Sequence, residues 1–284
     1  MIGRIVKVIS NDYTVKYDNE YIICKARGIF RKNNITPLAG DIVQINIQNK
    51  TIDKIEKRKN ELIRPPVANI DNALIVISAT NPEFNSNLLD KMIDIIEFNN
   101  IKPIICFTKL DLLENKDNIK TIISYYRKIG YDVFTNEEIS KIKKIFKNKL
   151  TILTGQTGVG KSTLINKLDS SLNLNTNEIS KALGRGKHTT RHIQLYNLCD
   201  GLVADTPGFS SLDFIDMTEE DIRDNFIEFE KYKEKCKYRN CMHINEDECE
   251  VKKMVSNNFI LQSRYDNYKK FILKKRNRWL TWII

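Results

Sequence analysis

The sequence has 284 residues, of which 41% are hydrophobic and 29% are charged, with a formal net charge of +10. These values are typical of a soluble globular protein of about two domains, and no apolar run is long enough to span a bilayer. Because Met1 leads into a β-like pattern rather than the apolar stretch of a signal peptide, we expect a cytoplasmic protein without a membrane partner.

Residues 1–63 predict a small β-barrel. GRIVKVI, YTVKYD, YIICKARG and DIVQINI alternate or carry β-branched residues and are separated by turn-forming pairs, so we expect about five strands. The OB-fold is the commonest barrel of this size that binds nucleic acids, and an SH3-like barrel would give much the same sequence pattern.

The pair Pro65–Pro66 indicates a domain boundary, because neither proline can continue a ladder or a helix. The period then changes: ALIVIS (73–78) and PIICF (103–107) are typical of buried parallel strands, and LLDKMIDIIEF (88–98) has helical spacing. Alternating β and α units predict a doubly wound parallel sheet, whose ligands bind beyond the carboxyl ends of the strands.

The segment GQTGVGKST (155–163) matches the phosphate loop G-x-x-x-x-G-K-[ST] between a strand-like LTILT and a helix-like STLINKL. Its glycines let backbone N–H groups face phosphate oxygens, Lys161 can reach the β and γ phosphates, and Ser162 can bind Mg²⁺. The predicted nucleotide contacts are Gly155, Gln156, Thr157, Gly158, Val159, Gly160, Lys161, Ser162 and Thr163.

Two later segments complete a nucleotide switch. DTPG (205–208) follows a buried strand, so that Asp205 is placed to hold a water of Mg²⁺ and the Gly208 N–H to contact a γ-phosphate. GRGKHTTRH (184–192) offers Thr189 or Thr190 to the metal, although a flexible basic loop would have the same composition. The predicted magnesium set is Ser162, Thr189, Thr190 and Asp205.

A base-reading motif comes before the phosphate loop instead of after it. In FTKLD (107–111), Thr108, Lys109, Leu110 and Asp111 fit [NT]-K-x-D, where the carboxylate accepts from guanine N1 and N2 and the lysine stem packs on the ring. Adenine lacks that donor pair, so Asp111 favours GTP. Thr108 replaces the more usual Asn, and FTNEE stands near 133–136, where many GTPases have a second guanine-contacting Ser-Ala segment.

The cysteines fall into two groups. Cys24, Cys106 and Cys199 stand singly in apolar runs and are predicted core residues. Cys236, Cys241, His243 and Cys249 form C-x₄-C-x-H-x₅-C, and three thiolates with one imidazole make a closed, structural zinc site. The spacing is not the usual C-x₂-C, and a disulfide is disfavoured in a cytoplasmic chain.

The C-terminal part is predicted to be helical and basic. Thr218 and Asp221 can cap a helix through DIRDNFIEFEKYKEK, and a last helix fits from about Phe259 through RYDNYKKFILKKRNRW. Residues 231–284 hold 14 basic and 6 acidic side chains, so that +8 of the net charge lies there. This favours a polyanionic partner, and a solvated basic face would explain the same charge.

The order of these parts closely resembles the circularly permuted GTPases of small ribosomal subunit biogenesis, the RsgA (YjeQ) family. The resemblance is carried along nearly the whole chain by ARGIFRKN, PLAGD, NELIRPPVANID, FTKLDL, GQTGVGKSTLIN, GRGKHTT, DTPGF, CKYRNCMH and RYDNYKKF. It implies a multidomain protein with an N-terminal OB-fold β-barrel (1–63), a central circularly permuted α/β P-loop GTPase domain (64–213), and a C-terminal α-helical zinc-binding domain with a basic helix (214–284).

The same resemblance implies an activity and partners. We expect GTP hydrolysis stimulated by the small ribosomal subunit, binding to its rRNA near the decoding region, one structural Zn²⁺, Mg²⁺ with GTP, and a monomer. The zinc domain follows directly after DTPG, so we hypothesise that it senses the nucleotide state.

Phe209 stands where signalling GTPases carry the glutamine that orients the attacking water, so intrinsic turnover is expected to be slow. His188 is the candidate catalytic group, with an RNA contact or a solvated loop histidine as alternatives, while His192 is interpreted as structural. Two rival functions stay open: an RNA-binding checkpoint in which nucleotide is only a latch, and a permuted GTPase acting on another RNA target.

Overall fold

A computed structural model describes residues 1–63, 65–170, 192–205, 213–214 and 216–280, with the backbone alone at 192, 205 and 278–280. The strands are β1 (Ile2–Ile9), β2 (Asp12–Tyr17), β3 (Glu20–Ala26), β4 (Ile42–Asn46), β5 (Thr51–Ile55), β6 (Glu61–Ile63), β7 (Pro66–Ala68), β8 (Asn72–Ser78), β9 (Lys102–Thr108), β10 (Asp132–Thr135), β11 (Leu150–Thr154), β12 (His192–Leu198) and β13 (Gly201–Asp205). The helices are α1 (Gly28–Lys32), α2 (Ser86–Phe98), α3 (Asp117–Ile129), α4 (Ile139–Phe146), α5 (Lys161–Leu168), α6 (Glu219–Asp224), α7 (Ile227–Lys233), α8 (Glu250–Ser256) and α9 (Gln262–Leu280). None of the helices in these ranges combines the length and apolar character needed to cross a bilayer.

The first five strands form the predicted barrel. They follow the order β1-β2-β3-β5-β4, and β1 pairs with β4 to close the sheet. Alternate residues point inward, as period-2 patterning requires, and α1 adds the buried Phe30. The closed barrel has its own core of Ile5, Tyr13, Val15, Cys24, Phe30, Val43, Ile45 and Ile52.

The second sheet is parallel over β10-β9-β8-β11-β13, and both of its faces are covered by helices. Along β8, Leu74 and Val76 pack with residues of α4 and α5, whereas Ile75 and Ile77 pack with residues of α2 and α3. This explains why β8 reads as a continuous apolar run rather than an alternating one. The carboxyl ends of all five strands meet at one edge.

The barrel and the parallel sheet are one continuous sheet, which the sequence did not predict. Strand β12 pairs antiparallel with β13 over Leu195–Leu198, and its first residues pair with barrel strand β1, where His192 faces Ile9 and Gln194 faces Lys7. The β12–β13 hairpin therefore links the barrel to the nucleotide-binding half of the molecule.

The junction after the barrel differs in part from its prediction. Pro66 begins the short strand β7, which pairs with β6, so the boundary holds a small hairpin rather than a break in pairing. An X-Pro bond removes only one donor, which an edge position tolerates. Gly40 fixes this hairpin on the barrel: its φ is +93°, and a Cβ there would lie 2.0 Å from the carbonyl oxygen of Ala68.

The C-terminal helices also differ from the predicted continuous run. The capping box of Thr218 and Asp221 is present, but the helix stops after α6, and α7 begins only at Ile227. Asn225 Nδ2 donates to the Asp94 carbonyl on α2, and Phe226 adopts a non-helical conformation with its ring buried. Tertiary contacts with α2 thus end the helix, and α9 starts at Gln262, three residues later than predicted.

Candidate nucleotide and metal sites

The phosphate loop lies at the carboxyl end of β11 and leads directly into α5. Gly155, Gly158 and Gly160 all have positive φ angles, and a Cβ on Gly155 would lie 2.1 Å from the Val76 carbonyl oxygen. Glycine is therefore required where the loop leaves the sheet. Lys161 Nζ lies 2.7 Å from the carbonyl oxygens of both Gly155 and Gln156, which places its charge at the mouth of the loop.

The base-reading segment lies at the same edge, at the end of β9 two strands away. Thr108 Oγ1 donates to the carbonyl oxygen of Val159 at 2.6 Å, so the threonine that replaces the usual Asn ties the end of β9 to the phosphate loop. Lys109 has a left-handed backbone with φ +59°, and a 3₁₀ turn (Leu110–Leu112) follows it. Asp111 lies on that turn with its side chain exposed to solvent.

A third segment completes this edge, and sequence reasoning missed it. The loop after β8 brings Asn81 to the Lys109 ammonium, which donates to the Asn81 carbonyl oxygen. Ser78 Oγ donates to the Pro82 carbonyl oxygen at 2.7 Å, and Gly158 of the phosphate loop lies beside the Pro82 ring. The available signal was the position of NPEF directly after a buried parallel strand, where ligands of such sheets bind.

The FTNEE segment takes the position expected for a second guanine contact. It ends β10, which pairs parallel with β9, and the Asn136 N–H donates to the Phe107 carbonyl oxygen at 2.9 Å. Backbone groups of this segment therefore lie next to the base-reading turn, and a guanine O6 contact needs only a backbone N–H.

Four of the predicted switch residues lie outside the described residues: His188, Thr189, Thr190 and Gly208. Phe209 also falls there. The described neighbours constrain where the two switch segments start or end. Asp205 is the last residue of β13, whose carboxyl end lies beside that of β11, and β12 begins directly after the segment with His188. Ser162 is buried at the start of α5.

The four predicted zinc ligands converge, with their ligand atoms all within 4.8 Å of one another. His243 Nδ1 lies 3.6 Å from Cys236 Sγ and 3.3 Å from Cys249 Sγ, and these two sulfurs are 3.9 Å apart. A tetrahedral zinc with bonds of about 2.3 Å to sulfur and about 2.05 Å to nitrogen requires edges of about 3.8 and 3.6 Å. A disulfide requires about 2.05 Å between sulfurs, so the separations fit a metal and not a bridge.

The surroundings of this cluster also fit zinc. Burial lowers the pKa of His243 to about 4 and raises the pKa of Cys241 to about 12, so both groups are neutral near pH 7 without a metal. His243 Nε2 is buried without a hydrogen-bond partner in the described part of the chain, while Nδ1 faces the sulfurs. Three thiols and an imidazole in a largely buried cluster match a divalent cation such as Zn²⁺, which converts thiols to thiolates.

Helix α9 holds the loop with His243 in place. Tyr265 donates to the His243 carbonyl oxygen at 2.7 Å and Tyr268 to the Met242 carbonyl oxygen at 2.5 Å. The Phe229 ring of α7 packs edge-on against the His243 ring. The other cysteines follow their prediction in part: Cys24 and Cys106 are fully buried, and Cys199 is partly exposed.

Comparisons with known proteins agree with this arrangement. The family description "RsgA GTPase" matches residues 55–215, and "RsgA N-terminal domain" matches residues 2–54. Relatives called "Small ribosomal subunit biogenesis GTPase RsgA" from Bacillus cereus and Bacillus subtilis are 46% and 45% identical, and each alignment covers 97% of this chain and 98% of the relative.

Two solved structures have the same fold. YloQ, described as a circularly permuted GTPase, is 40% identical with a TM-score of 0.81 and covers 98% of this chain and 95% of its own. YjeQ from Thermotoga maritima is 31% identical with a TM-score of 0.83, with coverage of 96% and 97%.

The barrel comes first in the chain, the base-reading segment precedes the phosphate loop on a parallel sheet, and the Cys₃His module comes last. This order defines a circularly permuted GTPase. With full-length relatives at this level of identity, the chain belongs to the RsgA family and is a GTP hydrolase. The predicted family, fold class and enzyme class are thereby confirmed, and Mg²⁺ accompanies GTP in such an enzyme.

Proposed function

We propose that this GTPase acts in late maturation of the small ribosomal subunit, binds its rRNA near the decoding region, and leaves the subunit when GTP is hydrolysed. Relatives that bear the name small ribosomal subunit biogenesis GTPase along their full length support the target. The observation that carries the proposal is the continuous sheet, which joins a barrel of a type suited to RNA to the hairpin that ends in the DTPG segment. We expect a cytoplasmic monomer with the domain division 1–63, 64–213 and 214–284.

Within the nucleotide site, Asp111 reads guanine, Lys161 and the backbone of residues 155–163 hold the phosphates, and Ser162 is a ligand of Mg²⁺. Asp205, with Thr189 or Thr190, completes the metal set, and the Gly208 N–H contacts the γ-phosphate. The convergence of β9, β11 and β13 at one edge supports this assignment. One zinc ion would be held by Cys236, Cys241, His243 and Cys249, and it would stabilise the basic C-terminal module.

His188 is proposed to orient the attacking water when GTP and the subunit are both bound. Phe209 cannot hydrogen-bond water, so basal turnover is expected to be slow without the subunit. His188→Ala is expected to abolish stimulated turnover and to trap the protein on the subunit, as measured by sedimentation with GTP. Normal release of this variant would favour the checkpoint function, in which chemistry is incidental.

The contacts of the residues that follow the DTPG segment support a coupling between the nucleotide state and the zinc module. Asp213 lies between Lys274 of α9, at 2.9 Å, and Lys91 of α2, at 3.7 Å, and the Phe214 ring packs on Phe271 with centroids 4.8 Å apart. Lys275 Nζ donates to the Phe214 carbonyl oxygen at 3.0 Å. The chain that leaves the nucleotide sensor is thus held directly by the C-terminal helix.

GTP turnover with and without purified small subunits tests the proposal, with ATP and large subunits as controls. We expect small subunits alone to accelerate GTP hydrolysis and ATP to be a poor substrate. No acceleration, or equal use of ATP, would contradict the proposal. Sedimentation with a non-hydrolysable GTP analogue then identifies which ribosomal particle retains the protein.

A further inference from the structure

A cleft of about 250 Å³ lies where the barrel meets the β12–β13 hairpin, and the nucleotide site does not use it. We call it the seam cleft. Its polar lining comes from both parts: Lys7, Thr14 and Tyr21 from the barrel and Gln194, Tyr196 and Asn197 from the hairpin. The cleft is smaller than the roughly 300–1,000 Å³ of drug-sized pockets, so it suits a single ring system.

The strand register explains why these side chains meet. Lys7 on β1 is paired with Thr14 on β2 and with Gln194 on β12, so the three neighbours form one row across the joined sheet. Tyr21 is the partner of Lys16, whose ammonium lies 5.9 Å from the Tyr21 ring centroid. Tyr21 is 56% exposed, which leaves much of its ring open to a ligand.

The chemistry of the seam cleft favours a nucleobase with its phosphate. No carboxylate is among the described residues that line it, and Lys7, with Lys16 beside it, supplies positive charge. Tyrosine rings offer faces on which a base stacks, and side-chain amides can pair with base edges. A duplex stacks its base faces and pairs their Watson–Crick edges, so the ligand that can stack on a tyrosine ring here is an unpaired nucleotide of RNA.

We propose that the seam cleft binds one unpaired nucleotide of the RNA partner, with its base on Tyr21 and its phosphate at Lys7. This inference rests on the proposed function, because it requires an RNA partner. It adds the place on the protein where one nucleotide of that RNA binds. Strand β12 forms one wall of the cleft and directly follows the segment with His188. RNA bound in the seam cleft would therefore contact both the barrel and the strand that follows the switch segment.

Binding of the full-length, zinc-loaded protein to purified small subunits, in a non-hydrolysable GTP analogue, tests this inference. Tyr21→Ala is expected to weaken binding about 5- to 150-fold, the usual loss for one stacked base. Tyr21→Phe keeps the ring and should bind within about twofold of the wild type, because stacking needs no hydroxyl. Basal GTP turnover should be unchanged in both variants, since Tyr21 lies outside the nucleotide site.

Lys7→Ala is expected to reduce the slope of log affinity against log salt by about one, as the loss of one phosphate contact requires. Lys50→Ala, in the turn between β4 and β5 and outside the cleft, is the matched control and should leave the slope unchanged. A photoreactive residue at position 21 should form an adduct with rRNA.

Different results would contradict the seam cleft inference and the proposed function. If small subunits accelerate wild-type turnover but Tyr21→Ala binds like the wild type, or if the position-21 adduct forms only with a ribosomal protein, the seam cleft inference is wrong and the proposed function stands. If small subunits neither bind nor stimulate the wild type, the proposed function itself fails.

Discussion

Asp111 is the residue that we propose selects the base. Asp111→Asn replaces an acceptor-only carboxylate by an amide, whose NH₂ cannot accept from guanine N2. We expect GTP affinity to fall by about 10²- to 10⁴-fold, because the site loses a matched polar pair. Xanthosine triphosphate, which has an oxygen at that position, should bind the variant better than the wild type.

Equilibrium binding of fluorescent GTP and xanthosine triphosphate analogues measures this change in nucleotide preference. Asp117→Asn, an exposed carboxylate in the first turn of α3, is the control and should retain GTP preference. Unchanged selectivity in Asp111→Asn would contradict the assignment of the base reader.

Asp94 of α2 makes stability depend on pH in an unusual direction. It is 1% exposed, and its carboxylate oxygens have no hydrogen-bond partner in the described ranges. Burial raises the pKa of Asp94 well above its usual value, so the folded protein holds this proton to a higher pH than the unfolded chain, which releases it near about pH 3.9. The wild type therefore loses stability as pH rises from about 4 towards the raised pKa, by up to about 1.4 kcal/mol per pH unit.

Asp94→Asn removes this titration and keeps the shape of the side chain. We expect the variant to become more stable relative to the wild type, with a larger free energy of unfolding, as the pH rises above about 4, as measured by urea unfolding. Asp266→Asn is the control, because the pKa of Asp266 is lowered and Lys269 pairs with it at 3.0 Å. Parallel pH profiles for wild type and Asp94→Asn would refute the assignment.

One buried cation joins α2, α7 and α9. Arg264 donates to Asp90 Oδ1 at 2.7 Å and to Glu228 Oε1 at 2.5 Å, and all three side chains are at most 2% exposed. Burial alone would lower the pKa of Arg264, but Glu228 and Asp90 raise it well above its usual value. Asn267 also donates to Asp90, and Tyr126 of α3 does so too.

Arg264→Ala should destabilise the protein by about 3–5 kcal/mol, because two buried carboxylates lose their cation. Lys269→Ala on the same helix breaks an exposed pair and should cost at most about 1 kcal/mol. Thermal or urea unfolding of the two variants compares them. Equal effects would mean that Arg264 does not hold the helices together.

The Cys₃His cluster is expected to be required for zinc binding by the C-terminal module. Cys249→Ser is expected to lose bound zinc and to lower the unfolding midpoint, because a structural zinc contributes directly to folding free energy. Cys199→Ser removes a thiol outside the cluster and should retain one zinc per chain. Metal content measured by atomic emission decides, and a zinc-free wild type would refute the site.

For the whole molecule, the two ends of the switch are held by different partners. β1 pairs with the start of β12, and α9 binds Asp213 after the DTPG segment. We expect hydrogen exchange to differ between GDP and GTP-analogue states both in residues 7–9 and in residues 215–280. An ATP analogue should produce neither change, and identical exchange of the C-terminal residues in both states would contradict the coupling to the zinc module.

Local patterns were sufficient for much of the architecture. β8, β9 and β11 were predictable because parallel strands buried on both faces are continuous apolar runs. The break at Asn225 was not predictable, since helical spacing continues through it and only contacts with α2 end the helix. Strand β10 has four residues, too few for a periodic signal.

The sequence alone was enough to locate the phosphate-loop motif, the candidate base reader and the Cys₃His cluster, and to show their rotated order, because each motif depends on residue types at short, fixed spacings. Only the tertiary structure decided that Thr108 binds the phosphate loop 51 residues away, that Arg264 meets Asp90 across 174 residues, and that β12 pairs with the barrel. Such pairs are selected by packing and strand register between distant segments, which no local pattern encodes.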